Sequence, residues 1–133
     1  MEIRFDRLEK LANALLELDP MKYHYNMGTT LITNKHKKPS GGCAWGYSTQ
    51  VFPDELVVKL CWTGGTIYAP HLMDDSTGMT WNDCCLFFGL NHQQVNEIFH
   101  HNEFIDLPRY EPMDTYKEIM AFCEREKNNL VVK

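Results

Sequence analysis

The sequence predicts an α+β fold: a small antiparallel sheet packed against about four to five short helices, in one compact domain covering residues 1–133. Three observations predict it. Apolar residues recur at helical spacing near both ends and in the middle of the chain. Two stretches, around Tyr23 and around Leu56, alternate with strand period instead. No repeat or composition break divides the chain, and 133 residues suffice for one self-supporting core.

Asp6-Arg7-Leu8-Glu9 has capping-box spacing, and Leu8, Leu11, Ala12 and Leu15 follow at helical intervals until Asp19-Pro20 closes the segment. In MKYHYNM, Tyr23, Tyr25 and Met27 alternate with Lys22, His24 and Asn26, a strand with one apolar face. NKHKKPSGG, residues 34–42, lacks an apolar period and reads as an exposed basic loop. CAWGYSTQVF predicts a short helix entered at Cys43. ELVVKLCW alternates through Leu56, Val58, Leu60 and Trp62, and Thr63-Gly64-Gly65-Thr66 turns it back into TIYA, a hairpin. Thr80-Trp81-Asn82-Asp83 starts a helix with Trp81, Cys84, Cys85 and Phe88 in one stripe, which Gly89 ends in a left-handed conformation. Asn91 caps the next helix, with Leu90 and Val95 at hydrophobic-staple positions. Thr115-x-x-Glu118 opens a last helix with Tyr116, Ile119, Met120 and Cys123 facing inward.

Composition narrows the function classes. Hydrophobic residues make up 44% and charged residues 23%, ordinary globular usage. No apolar run approaches the roughly 20 residues that span a bilayer, and charges throughout the first segment argue against a signal peptide, so a cytoplasmic protein without a membrane partner is expected. The five cysteines are odd in number, contain no C-x-x-C, and include the adjacent Cys84 and Cys85. That disfavours a disulfide framework or a zinc ribbon, and Cys61, Cys84, Cys85 and Cys123 read as small buried hydrophobes. His71-x-x-Asp74-Asp75 and His100-His101-x-Glu103 carry donor atoms but no helix-borne ligand spacing, so neither a metal nor a cofactor is expected.

CCLFFGLNHQQVNEIF has the small-residue, glycine and apolar spacing of a DNA-reading helix pair. Charge decides against that use. Between Lys59 and Arg109 there is no Lys or Arg, while Asp74, Asp75, Asp83, Glu97, Glu103 and Asp106 give a formal charge of −6. Duplex affinity comes mainly from cations on phosphates, so the pair is expected to be architectural and duplex DNA is not an expected partner.

KHKKPSGGCAWG is the most chemically suggestive stretch. A thiol at a helix N-terminus feels the positive end of the dipole, and Lys35, Lys37 and Lys38 would favour thiolate further. GGCAW also resembles the sequence around the nucleophile of papain-like amidases. That reading makes Cys43 the nucleophile, His71 the base and Asp74 or Asp75 its orienter, although His71 follows a proline and looks loop-borne. A milder reading has the backbone amides around Gly41 and Gly42, with Lys35, Lys37 and Lys38, holding a small anionic ligand.

From Tyr23 to Cys123 the chain resembles a group of small uncharacterised proteins encoded by phages, prophages and plasmids. The YNM strand, the CAWG element, FPDEL, the FFGLNHQQVNEIF helix pair and a closing helix at Thr115 carry the resemblance. Some members have a C-G-T-x-x-C string where this chain reads PSGG, so no metal or redox role is implied through that element. The resemblance implies a phage-type accessory protein acting on a host or defence component. The expectation is therefore a non-enzymatic binding protein for a host or defence protein or a small anionic ligand, with the cysteine hydrolase as its alternative.

Overall fold

The computed structural model describes residues 2–25, 31–33, 39–62, 66–99 and 111–132. Its order is α1 (Phe5–Leu16), β1 (His24–Tyr25), β2 (Leu31–Thr33), β3 (Pro39–Gly42), α2 (Ala44–Val51), β4 (Leu56–Trp62), β5 (Thr66–Leu72), α3 (Thr80–Phe88), α4 (His92–Phe99) and α5 (Pro112–Val132). The fold is α+β. The strands form two sheets, a three-stranded one ordered β1-β3-β2 and the β4-β5 hairpin. Most pairings are antiparallel, but β1 runs parallel to β3. The long connection between β1 and β3, which contains β2, permits that direction.

One core gathers the helices. Leu8, Leu11 and Leu15 of α1 pack with Trp45, Phe87, Phe88, Val95, Ile98, Ile119 and Phe122, all nearly sealed from solvent. Phe52 meets Phe87 edge to face at 4.9 Å, and Phe87 meets Phe88 at 5.0 Å. Such pairs add about 1 kcal/mol each beyond the area they bury. Arg7 joins α1 to this aromatic centre: it donates to the Phe87 carbonyl, lies 4.1 Å from the Phe87 ring centroid and pairs with Glu55 at 3.0 Å.

Several expected boundaries shift. Asp6 does not cap α1; the helix begins at Phe5 with Arg4 at the cap position, and Asp6 instead forms a two-point ion pair with Arg4. The last helix begins at Pro112, before Thr115, because proline suits the first helical position and Asp114 closes the turn by accepting from the Glu111 amide. Thr115 is consequently buried in the first turn and shares a hydrogen bond with the Tyr25 hydroxyl. The basic loop does not extend through residue 42, since Pro39–Gly42 is the central strand of its sheet and Gly41 and Gly42 are buried. The hairpin strand runs past TIYA to Leu72, which places His71 on a strand. Its turn, residues 63–65, lies outside the described residues.

The α3–α4 corner forms as its residues dictate. Gly89 ends α3 with φ 69° and ψ 38°. Asn91 and Gln94 then close a reciprocal capping box, each side chain accepting from the other's amide at 2.8 and 3.0 Å. Leu90 and Val95 are fully buried at the staple positions. Two of the polar side chains that a DNA-reading helix would turn toward base edges thus close its own first turn.

Candidate functional site

Two places in the molecule concentrate chemistry. The first surrounds Asp83, which α3 brings against the end of β5. Thr80, Asp83 and Phe87 share one helical face, and that face is buried, so the carboxylate enters the interior. Its two oxygens are fully used. Oδ2 accepts from the Leu72 amide at 3.0 Å and Ser76 Oγ at 2.6 Å, and Oδ1 from the Thr77 amide at 2.9 Å and Thr77 Oγ1 at 2.7 Å. Burial works against the charge, but these donors outweigh it and hold the Asp83 carboxyl below its ordinary value.

His71 lies against this carboxylate. Its Nδ1 is 3.4 Å from Asp83 Oδ2 and 3.4 Å from Ser76 Oγ, and its side chain is buried. The other ring nitrogen, Nε2, is buried without a hydrogen-bond partner among the described residues. The carboxylate beside the imidazole is therefore Asp83, and the expected pairing of His71 with Asp74 or Asp75 is not made. Asp74 and Asp75 are exposed on the turn after β5, where Asp75 adopts a φ of 59°. Sequence reasoning placed Asp83 at a helix start and missed this role. Its helical phase gave no signal, because the apolar stripe read from the sequence, Trp81, Cys84, Cys85 and Phe88, runs along a different face.

The chain enters α2 at Cys43, as the sequence predicts, and Cys43 itself is extended at the cap position. Gly42 before it has a φ of 130°, a backbone region in practice reserved for glycine, which explains the residue type there. The thiol is not an activated one. Burial pushes it up to about 11, and the amides of Gly46 and Trp45 oppose that only in part. Tyr23 covers the same segment, its hydroxyl donating to the Cys43 carbonyl and its ring meeting Tyr47 at 4.9 Å. Among the described residues His71 Nε2 has no hydrogen-bond partner, so this nitrogen makes no bond to the Cys43 thiol of the kind that nucleophilic activation needs. The structure brings His71 to an orienting acid but does not join Cys43 to them.

Cys84, Cys85 and Cys123 are free, buried thiols, each raised by burial. Among the described residues no group of three His, Cys, Asp or Glu could hold a metal ion. Lys35, Lys37, Lys38, His100, His101 and Glu103 lie outside the described residues, as does the side chain of Cys61. Gly41 and Gly42 do not form the expected open cradle of amides: they pair with β1 on one side and β2 on the other.

The second place is an open cleft of about 670 Å³ between the end of α1, β1 and the start of α5. Leu16, Pro20, Tyr23, Tyr25, Pro112 and Met113 contribute much of its wall, with His24 and Glu111 among its polar groups. Leu16 and Met113 are about half exposed. Apolar side chains left in water around a cleft are the usual mark of a binding surface.

No family model, no curated protein and no solved structure matches the chain. Among the described residues no helix is long and apolar enough to cross a membrane.

Proposed function

We infer that this chain is a small, non-enzymatic accessory binding protein of phage type, acting in the host cytoplasm, which engages a host or defence protein. The cleft bounded by Leu16, Tyr25 and Met113 carries this reading, because it joins an exposed apolar rim to a solvent-open cavity. A small anionic ligand is less well served, since the Gly41 and Gly42 backbone is occupied within a sheet. The test is tagged expression in a host cell followed by native mass spectrometry of the purified complex. A host protein retained in fixed stoichiometry is expected, and isolation of the bare chain at every protein concentration would sink the reading.

The placement of His71 on a strand beside a buried, ionised Asp83 favours a second reading, the cysteine hydrolase with Cys43 as nucleophile. It requires thiolate at neutral pH. With the Cys43 thiol raised to about 11 and shielded from solvent, iodoacetamide at pH 7 is expected to label it at least about tenfold more slowly than free cysteine. Labelling faster than the free amino acid, and suppressed by His71→Ala, would reverse the order of the two readings.

A further inference from the structure

The geometry points to a second docking surface, formed by the exposed stripe of α3 and the loop before it, which receives a cationic amphipathic helix of a partner protein. None of its residues lines the cleft.

The first observation is an ordered loop whose outward side chains are left in water. Residues 73–78 join β5 to α3, and Asp83 ties them down from within, through the Ser76 and Thr77 hydroxyls and the Leu72 and Thr77 amides. The Met73 amide adds a bond to the Glu55 carbonyl, and Thr77 Oγ1 accepts from the Met79 amide. Met73, Asp74, Asp75 and Met79 are nevertheless all exposed. Binding residues are often carried on such segments, where a rigid scaffold fixes the backbone and leaves side chains to a partner.

The second observation is spacing. Leu86 is exposed as well, on α3 seven residues after Met79. Seven residues fall about 20° short of two full turns, so the two lie on one stripe about 10 Å apart along the axis. Met73 lies near the start of that stripe, because Leu72 beside it is bonded to Asp83 in the first turn of α3. Three large apolar side chains, each nearly half exposed, suit a partner helix laid along α3 with its own apolar residues at i, i+3, i+4 and i+7. Unbranched methionine adapts readily to such a partner.

The third observation is charge, which selects the helix. Asp54, Asp74 and Asp75 are exposed and make no hydrogen bond or ion pair among the described residues. Residues 52–58 and 72–86 contain no Lys or Arg. The cations of α1 are engaged elsewhere: Arg4 with Asp6, Arg7 with Glu55 and Lys10 over the Phe52 ring. Uncompensated carboxylates repel the phosphates of a nucleic acid or an anionic lipid surface. They attract lysine and arginine. The partner helix therefore carries its cations at the end that meets Asp74 and Asp75, and apolar residues along Met79 and Leu86.

The experiment uses the full chain, isotope-labelled for amide NMR. It is titrated with a synthetic helical peptide that has leucine at i, i+3, i+4 and i+7 and arginine clustered at one end, and with a second in which glutamate replaces arginine. The cationic peptide is expected to shift the amides of residues 73–79 and of Leu86 and to bind at least about tenfold more tightly than the acidic one, with affinity falling as salt rises. Asp74→Asn combined with Asp75→Asn is expected to weaken binding at least about fivefold; asparagine tolerates the φ of 59° at position 75. Leu86→Gln, which keeps a good helix former at an exposed position, is expected to remove most of the binding while leaving the thermal midpoint unchanged. Vesicles of phosphatidylserine are expected to leave these amides unmoved. Equal binding of the two peptides, absence of binding, shifts confined to the cleft around Tyr23 or to other surfaces, or full binding by either variant would each overturn the inference. Vesicle binding at the Met73–Leu86 surface in place of the peptide would assign it to a membrane and overturn it too.

Discussion

Replacing Gly89 with alanine is expected to lower stability by about 3 kcal/mol, the sum of a left-handed backbone penalty and forced overpacking, and to drop the thermal midpoint by roughly 10 °C. Gly89 sits at φ 69°, and a Cβ built on it would come within 1.9 Å of the Glu2 carbonyl oxygen and 2.8 Å of its carbon. Those are backbone atoms, so no side-chain rotation relieves the contact. Two hydrogen bonds hold the crossing in place: the Arg4 amide donates to the Phe88 carbonyl at 2.8 Å, and the Leu90 amide to the Cys85 carbonyl at 2.9 Å. The added methyl must either lift the N-terminal stretch away from α3 or distort the turn that sets α4. The two contributions can be separated. Removing residues 1–3 from both backgrounds should shrink the Gly89→Ala penalty to about 1 kcal/mol, the backbone contribution alone. A melting curve for Gly89→Ala within 2 °C of the parent would refute the crossing.

That crossing also shows where sequence reading succeeds and where it stops. Gly89, Asn91, Gln94, Leu90 and Val95 all act through neighbours within a few positions, so the α3–α4 corner follows from spacing alone. The fact that Glu2 lies across Gly89 is a contact between residues far apart in the sequence, and no local pattern encodes it. The same contrast runs through the rest of the fold. The β4-β5 hairpin was legible from alternation, but its extension through Pro70 was not, because proline usually marks a strand's limit. Pro70 is tolerated because it opposes Val58 in a ribbon that, among the described residues, has two strands, so that one side of each strand has no ladder to complete there. Pro39-Ser40-Gly41-Gly42 reads as loop by composition, yet it is a central strand because two neighbours supply its pairing partners. At the candidate site, His71 and Cys43 were visible as residue types. Asp83 was not, because a carboxylate near a helix start is ordinarily explained by the dipole, and only tertiary packing directs this one inward.

Asp83→Ala is expected to cost about 3 kcal/mol or more, since its loss strands several buried donors at once. The Leu72 and Thr77 amides lose their acceptor, as do the Ser76 and Thr77 hydroxyls, and the end of β5 is no longer tied to α3. Asparagine should rescue little of this. Each carboxylate oxygen faces one backbone N–H, Leu72 on Oδ2 and Thr77 on Oδ1, so whichever way the amide is turned its NH₂ confronts a donor that cannot become an acceptor. A hydroxyl can rotate to accept, but a backbone amide cannot. The same group sets the acid limb of stability. Because the folded-state value of Asp83 is depressed, the folded protein binds fewer protons than the unfolded chain once pH falls below about 4, the ordinary carboxylate range. Its stabilising contribution is whole above that range and disappears as pH falls through the depressed folded value. Denaturant midpoints measured from pH 6 downward should therefore fall for the parent more steeply than for Asp83→Asn, which starts lower and has no carboxyl to protonate at this position. Parallel acid limbs for the two proteins, or an asparagine variant as stable as the parent at pH 6, would show that the carboxylate does not hold β5 to α3.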